Sequence, residues 1–283
     1  MLDVTLLKVF HRGEDNARRM LPYVSGCDVY SIEASCCSEQ MATTLEKEWK
    51  NERLKLSRTQ FLKLMERDMN SVQRNEEAKR FGLKLRDYVF RAGKPIVMVE
   101  RFSTEESRKL LAYMTMALTR IANATALLAE EKLDSFIVEM RKGVAVLAFV
   151  SKARDRHIGA TISGIESKIR ADHPELAGKD TIQLTMSLGG VHEPEKHCTI
   201  PIRVIDLSMD HKEKLLGLMP NSIRPKDYSE KDILAYGLGS FESVLRMPAG
   251  KSLFASSFDE LKTVLRDNQP AVRAQMQRTR SVR

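Results

Sequence analysis

The sequence predicts an α/β fold: a mostly parallel sheet flanked by helices, with long helical insertions and a small helical C-terminal cap. Three observations predict it. Four short apolar runs have the β-branched composition and turn boundaries of buried strands. Charged, helix-periodic stretches separate them, as βαβ units require. The chain, 283 residues and 42% hydrophobic, is also long enough to bury a large core.

Residues 4–10 (VTLLKVF) make the first expected strand and 28–32 (DVYSI) the second. Residues 38–91, dense in Glu, Lys, Arg, Leu and Met, read as two or three helices whose charge belongs to solvated faces. The third strand is 95–99 (PIVMV). A second helical block runs over 104–171, broken near Gly143; its apolar stretch 144–150 fits either that block or a further strand. The fourth strand is 182–188 (IQLTMSL), and 199–205 (TIPIRVI) adds an edge strand. The expected organisation is an α/β domain over 1–206 with insertions at 38–91 and 104–171, then a helical cap over 207–267 with helices at 229–247 and 257–266. Residues 268–283 make a disordered basic tail.

That tail decides how the net charge of +8 is read. It holds four arginines (Arg273, Arg278, Arg280, Arg283) and no acid, so half of the excess lies there and the body is only mildly basic. No nucleic-acid-binding motif accompanies the charge, which speaks against such a partner. A contact between the tail and an acidic membrane surface or partner stays open. There is no run of eighteen apolar residues, so no transmembrane helix is expected. The first residues, MLDVTLL, read as a strand, without the basic start and cleavage site of a signal peptide. Four cysteines (Cys27, Cys36, Cys37, Cys198) lack metal-finger or disulfide-framework spacing and read as free thiols in a reducing cytosol, which points to a cytoplasmic protein.

Ligands of open parallel sheets bind beyond the carboxyl ends of the strands. Here His11, Glu33, Glu100 and His192 close the four apolar runs. Helices returning between parallel strands begin at the same edge. Arg154, four residues before Ile158 and on the stripe of Ile162, Ile165 and Ile169, is expected near such a helix start, its guanidinium aimed beside His192. Arg74-Asn75 precedes the third strand as Arg154-Asp155 precedes the fourth, a faint sign of internal duplication. Two chemistries fit. His11, Glu33 and His192 could ligate a divalent metal that activates water. Without a metal, His and Glu could act as base and acid in ester or amide hydrolysis, with Arg154 stabilising an oxyanion. Plainer roles stand beside these. Glu14 and Asp15 suit a helix start, Glu100 could pair with Arg101 or another arginine, Arg154 and Asp155 could form a structural ion pair, and His157 suits a helix surface. His197 and Cys198, five and six residues after His192, could extend a metal set.

The order of these motifs resembles the superfamily that contains erythromycin esterase, the haem-binding ChaN lipoprotein and the TraB and Tiki proteins. Asp28-Val29-Tyr30-Ser31-Ile32-Glu33 is similar to its second strand, and Arg154-Asp155-Arg156-His157-Ile158 followed by Gly189-Gly190-Val191-His192 is similar to its Arg-rich helix and late Gly-x-x-His. The first motif departs: Lys8-Val9-Phe10-His11 has Lys where the pattern has Gly, and Gly13-Glu14 offers another register, leaving His11 and Glu14 as alternatives. The resemblance spans residues 4–205 and implies a layered α/β fold with a His/Glu cleft. It does not choose among an esterase, a metal-dependent peptidase, a haem- or ligand-binding protein and a catalytically degenerate interaction module. The expected substrate is a small molecule or a peptide.

Overall fold

The computed structural model describes residues 1–9, 11, 13–33, 36–72, 76–130, 132–189 and 192–207, with isolated positions 263, 266, 267 and 270. The expected cap, the basic tail and Arg74-Asn75 otherwise fall outside the described residues. The chain divides into two compact units, Met1–Arg108 with Arg154–Met209, and Lys109–Ala153 with Asp210–Arg283. Residues 109–153, read from sequence as an insertion in the α/β domain, thus group with the second unit.

The first unit is an α/β layer structure. Its strands are β1 (Leu2–Val9), β2 (Val29–Ser31), β3 (Ile182–Gly189) and β4 (Ile202–Asp206), all parallel in the order β2-β3-β1-β4. The expected third strand is the exception. Residues 95–99 run extended outside β2 but join it through a single bridge, Tyr30 to Ile96, with bonds from Tyr30 N to Pro95 O and from Val97 N to Tyr30 O. β2 is only three residues long, which leaves too little ladder for a full neighbouring strand.

Both faces of this sheet are covered, which is why its strands read as continuous apolar runs. On one face Leu7, Val9, Tyr30 and Met98 meet α1 (Gly13–Arg19), α2 (Leu21–Gly26), α3 (Glu39–Lys55), α4 (Arg58–Val72) and α5 (Glu76–Arg91) in a core that includes Trp49, Phe61 and Phe81. On the other face Val4, Leu6, Val29, Val97, Leu184 and Met186 meet the isoleucine stripe Ile158, Ile162, Ile165 and Ile169. The stripe lies on α7 (Leu133–Asp172), and burying each isoleucine contributes roughly 1.5–3 kcal/mol. The residues read as two or three helices form three.

The second unit contains most of α6 (Thr104–Ala129) and the first half of α7. The expected break at Gly143 does not occur, and 144–150 is helix rather than strand. Gly143 serves close packing instead: a Cβ there would lie 2.9 Å from Ile121 Cγ1 and 3.1 Å from the Ala117 carbonyl oxygen. An Arg120–Glu139 pair at 3.0 Å ties the two helices in the same region. Among the described residues no helix is long and apolar enough to cross a membrane.

Candidate functional site

The carboxyl edge of the sheet brings His11, Glu33, Glu100, Arg154 and His192 together. β1 delivers His11, β2 delivers Glu33, the extended segment after Ile96 delivers Glu100, and β3 delivers His192, whose amide bonds back to the Gly189 carbonyl at 2.9 Å. Arg154 comes from the middle of α7 rather than from a helix start. It reaches the same edge because α7 joins the sheet-bearing unit only from Arg154 onward, so the earlier half of the helix does not shift the phase of its isoleucine stripe.

Arg154 is the hub. Its Nε and Nη2 donate to Glu100 at 2.9 and 2.6 Å, Nη2 also donates to Glu33 Oε1 at 2.7 Å, and Nη1 lies 3.2 Å from His192 Nε2. A guanidinium held by two carboxylates this far from water keeps its proton, its basicity raised well above normal by Glu100 and Glu33 against the opposing effect of burial. Glu100 is 1% exposed, and its Oε2 also accepts from the amide of Cys36 at 2.9 Å. Cys36 has a positive φ of 57°, an unusual conformation for a residue with a Cβ, and its carbonyl accepts from Ser107 Oγ at 2.7 Å.

His192 is oriented by Asp155, which is fully buried. Asp155 Oδ1 lies 2.6 Å from Nδ1, while its Oδ2 accepts from the Glu193 amide at 3.0 Å. Burial and Arg154 lower the proton affinity of the ring, yet Asp155 and Glu33 outweigh them and raise its pKa to about 9. Near neutral pH the ring is therefore an imidazolium, and Glu33 Oε1, 3.5 Å from Nε2 and 2.7 Å from Arg154 Nη2, is shared by the two cations. Glu33 is held well below the usual carboxylate range: burial pushes it up, but Arg154, His11 and His192 pull it down further. Its Oε2 accepts from the Gly189 amide at 2.9 Å and lies 3.5 Å from His11 Nε2.

His11 differs from its neighbours. The ring stacks on Phe81 with centroids 5.0 Å apart and keeps 34% of its side chain exposed, while Nε2 is shielded and has no hydrogen-bond partner. Burial lowers its pKa; Glu33 raises it, and His192 and Arg154 lower it again, so the ring is neutral near pH 7. The two histidines are thus driven in opposite directions.

The other candidates fall away from this cluster. Glu14 pairs with Lys84 at 3.2 Å and Asp15 with Arg18, as helix-start residues do, which leaves His11 as the group at the site. Lys8, which departs from the pattern of the first motif, is buried and pairs with Glu195 at 2.5 Å. His157 is half-buried rather than on the surface: its Nε2 accepts from the Arg101 amide, and it stacks on Phe102 at 4.0 Å. His197 packs on Gly159, Cys198 Sγ contacts the Pro194 carbonyl, and all four cysteines are free thiols. Arg154 meets Glu100, Glu33 and His192, and Asp155 meets His192 and the Glu193 amide. Glu100 and Asp155 are the two residues whose central place the sequence reading understated.

The set His11, Glu33 and His192 does not suit a metal. Both nitrogens of His192 and both oxygens of Glu33 already face Asp155, Arg154 and the Gly189 amide, and the guanidinium sits where a cation would lie. Among the described residues no group of three His, Cys, Asp or Glu side chains is arranged to hold an ion. Comparison with family models, curated proteins and solved structures finds no match for this chain.

Proposed function

We propose that the chain is a metal-independent hydrolase of the erythromycin esterase, ChaN, TraB and Tiki superfamily, cleaving an ester or amide bond of a small molecule or peptide in the cytoplasm. The observation that carries this reading is a neutral His11 whose ring is partly exposed while its Nε2 faces an ionised Glu33. In this reading the His11 ring nitrogen turned away from Glu33, Nδ1, takes a proton from water as the water oxygen bonds to the carbonyl carbon. Glu33 orients the ring and stabilises the imidazolium. His11 then returns the proton to the leaving oxygen or nitrogen as that bond breaks. Arg154, with Nε and Nη2 already directed to Glu100 and Glu33, holds Glu33 in place rather than binding an oxyanion, and His192 with Asp155 completes the frame. Free thiols and the absence of a membrane-crossing described helix support the cytoplasmic placement.

The test is a screen of ester and peptide substrates, with the active one carried into variants. His11→Ala is expected to lower kcat by about 10²–10⁴-fold with the fold retained. The activity of the parent protein should fall on the acid side as His11 gains a proton, at a pH below the ordinary histidine value. Unchanged turnover in His11→Ala would sink this reading. The same partly exposed, neutral ring also favours a second one, haem ligation without chemistry. A Soret band on titration with haemin that disappears in His11→Ala would support that alternative, and a flat titration would remove it.

A further inference from the structure

At the other end of α7 the sheet-bearing unit contains a trough of about 230 Å³ between α3, the extended segment at Ile96 and the last turns of α7. From Arg154 to Lys168 the helix rises about 21 Å, so the trough is separate from the His11 cluster and its reading does not depend on hydrolysis. Its walls are Trp49, Pro95, Val97 and Ile169.

Two features define what could fill it. Tyr30 uses the Pro95 carbonyl and the Val97 amide, so in a parallel bridge the amide and carbonyl of Ile96 face away from β2. The next outward amide, Met98, is satisfied by Glu46 Oε1 at 2.7 Å, but neither group of Ile96 bonds to any described residue. An open donor and acceptor on one edge residue is the pattern that an added extended backbone completes. The charges give the second feature. Glu46 is engaged by Arg101 and Lys168, Asp172 by Lys168, and Glu175 lies 3.4 Å from His173. Lys47 and Lys50, one helical turn apart on the rim, have no ion pair among the described residues. With Arg101 on Glu46, four cations stand against the carboxylates of Glu46, Asp172 and Glu175, so the balance is one positive charge, carried at the Lys47 and Lys50 rim.

We propose that this trough binds the C-terminal residue of a peptide. Its amide donates to the Ile96 carbonyl, one carboxylate oxygen accepts from the Ile96 amide while the carboxylate faces Lys47 and Lys50, and an apolar side chain lies against Trp49 and Ile169. The volume agrees with one or two residues, since sites for drug-sized ligands run to roughly 300–1,000 Å³.

Trp49 is the sole tryptophan in the chain and reports directly on occupancy. The probe is acetyl-alanyl-leucine with a free carboxylate, titrated against its C-terminal amide, its N-methyl-leucine analogue and 4-methylpentanoate. Saturable change in Trp49 emission is expected with the free acid, at least about tenfold tighter than with the other three. The double variant Lys47→Ala, Lys50→Ala should keep its far-ultraviolet circular dichroism and lose the preference for the acid over the amide; either single variant serves should the double one unfold. No saturable signal with the free acid would overturn the proposal. So would equal binding of the amide, of the N-methyl analogue or of 4-methylpentanoate, or a preference for the acid that survives loss of the lysines.

Discussion

Replacing Asp155 with Asn tests the buried charge cluster most directly, because it removes one charge and nearly no volume. Asp155 makes the shortest bond to His192, 2.6 Å at Nδ1, and is fully buried. Raising the His192 pKa from 6.5 to about 9 corresponds to about 3 kcal/mol of folding free energy at a pH where the folded ring is charged. The sign follows from the direction of the shift. The folded protein holds the proton more tightly than the unfolded chain, so this stability is complete below pH 6.5 and is lost as the pH rises to about 9. Other groups act mainly outside that window. His11 and His173 have lowered pKa values, so their contribution is lost as the pH falls through and below the ordinary histidine value. Cys36, Cys37 and Cys198 are pushed up to about 11, so theirs is lost from pH 9 upward. Urea unfolding at intervals from pH 6.5 to 9 should therefore show the parent protein losing about 3 kcal/mol, and Asp155→Asn losing less than half of that. The variant should be weaker at pH 6.5 and approach the parent as the pH rises through about 9 and His192 loses its proton in both. A histidine ring titration by nuclear magnetic resonance gives the pKa independently. Parallel stability profiles for the two proteins, or a His192 that titrates near 6.5 in the parent, would refute the reasoning.

Three further outcomes are expected. Arg154→Met leaves Glu33 and Glu100 buried without their cation and should lower stability by about 3–5 kcal/mol, measured by chemical unfolding at pH 7. Glu100→Gln and Glu33→Gln should separate frame from chemistry. Glu100 has both oxygens engaged and is almost fully buried, so its variant loses chiefly stability. Loss of the Glu33 charge, which holds the His11 pKa up, should move the His11 titration to still lower pH. Gly159→Ala would place a Cβ 2.7 Å from His197 Cβ and 2.8 Å from backbone atoms of His197 and Pro194, costing about 1–3 kcal/mol. Gly164→Ala, exposed on the same helix with no heavy atom within 4 Å, should instead stabilise by roughly 0.5–1 kcal/mol, and a thermal melt of the pair distinguishes the two.

Much of the sheet was legible because its strands are covered on both faces. Burial on both sides makes β1 and β3 mostly apolar, with Thr5, Lys8, Thr185 and Ser187 as the buried polar exceptions, and a titratable residue following such a run lies at the sheet edge. That is why His11, Glu33, Glu100 and His192 could be read from spacing alone. The strand order β2-β3-β1-β4 could not, since parallel runs of similar composition do not encode which neighbour they bond to. Gly143 illustrates a second limit. In one dimension a glycine inside a helical pattern reads as an interruption, whereas here its missing Cβ admits Ile121 and the Ala117 carbonyl. Likewise Ile96 keeps the composition of a strand while β2 is too short to pair with the whole segment.

The roles within the site were the least legible, for a reason of counting. Sequence can place a guanidinium beside two histidines and two glutamates, but whether it is free to meet a substrate depends on how many acceptors surround it. Arg154 meets Glu100 with two nitrogens, Glu33 with one of these as well, and His192 with the third. A group so fully engaged acts through what it fixes. Glu33 is fixed in turn, with Oε1 on Arg154 and Oε2 on the Gly189 amide, and that second oxygen is the one facing His11. The chain of bonds therefore ends at a single ring nitrogen without a partner. Its neighbours are charged, buried and satisfied, while the His11 ring is neutral and partly open.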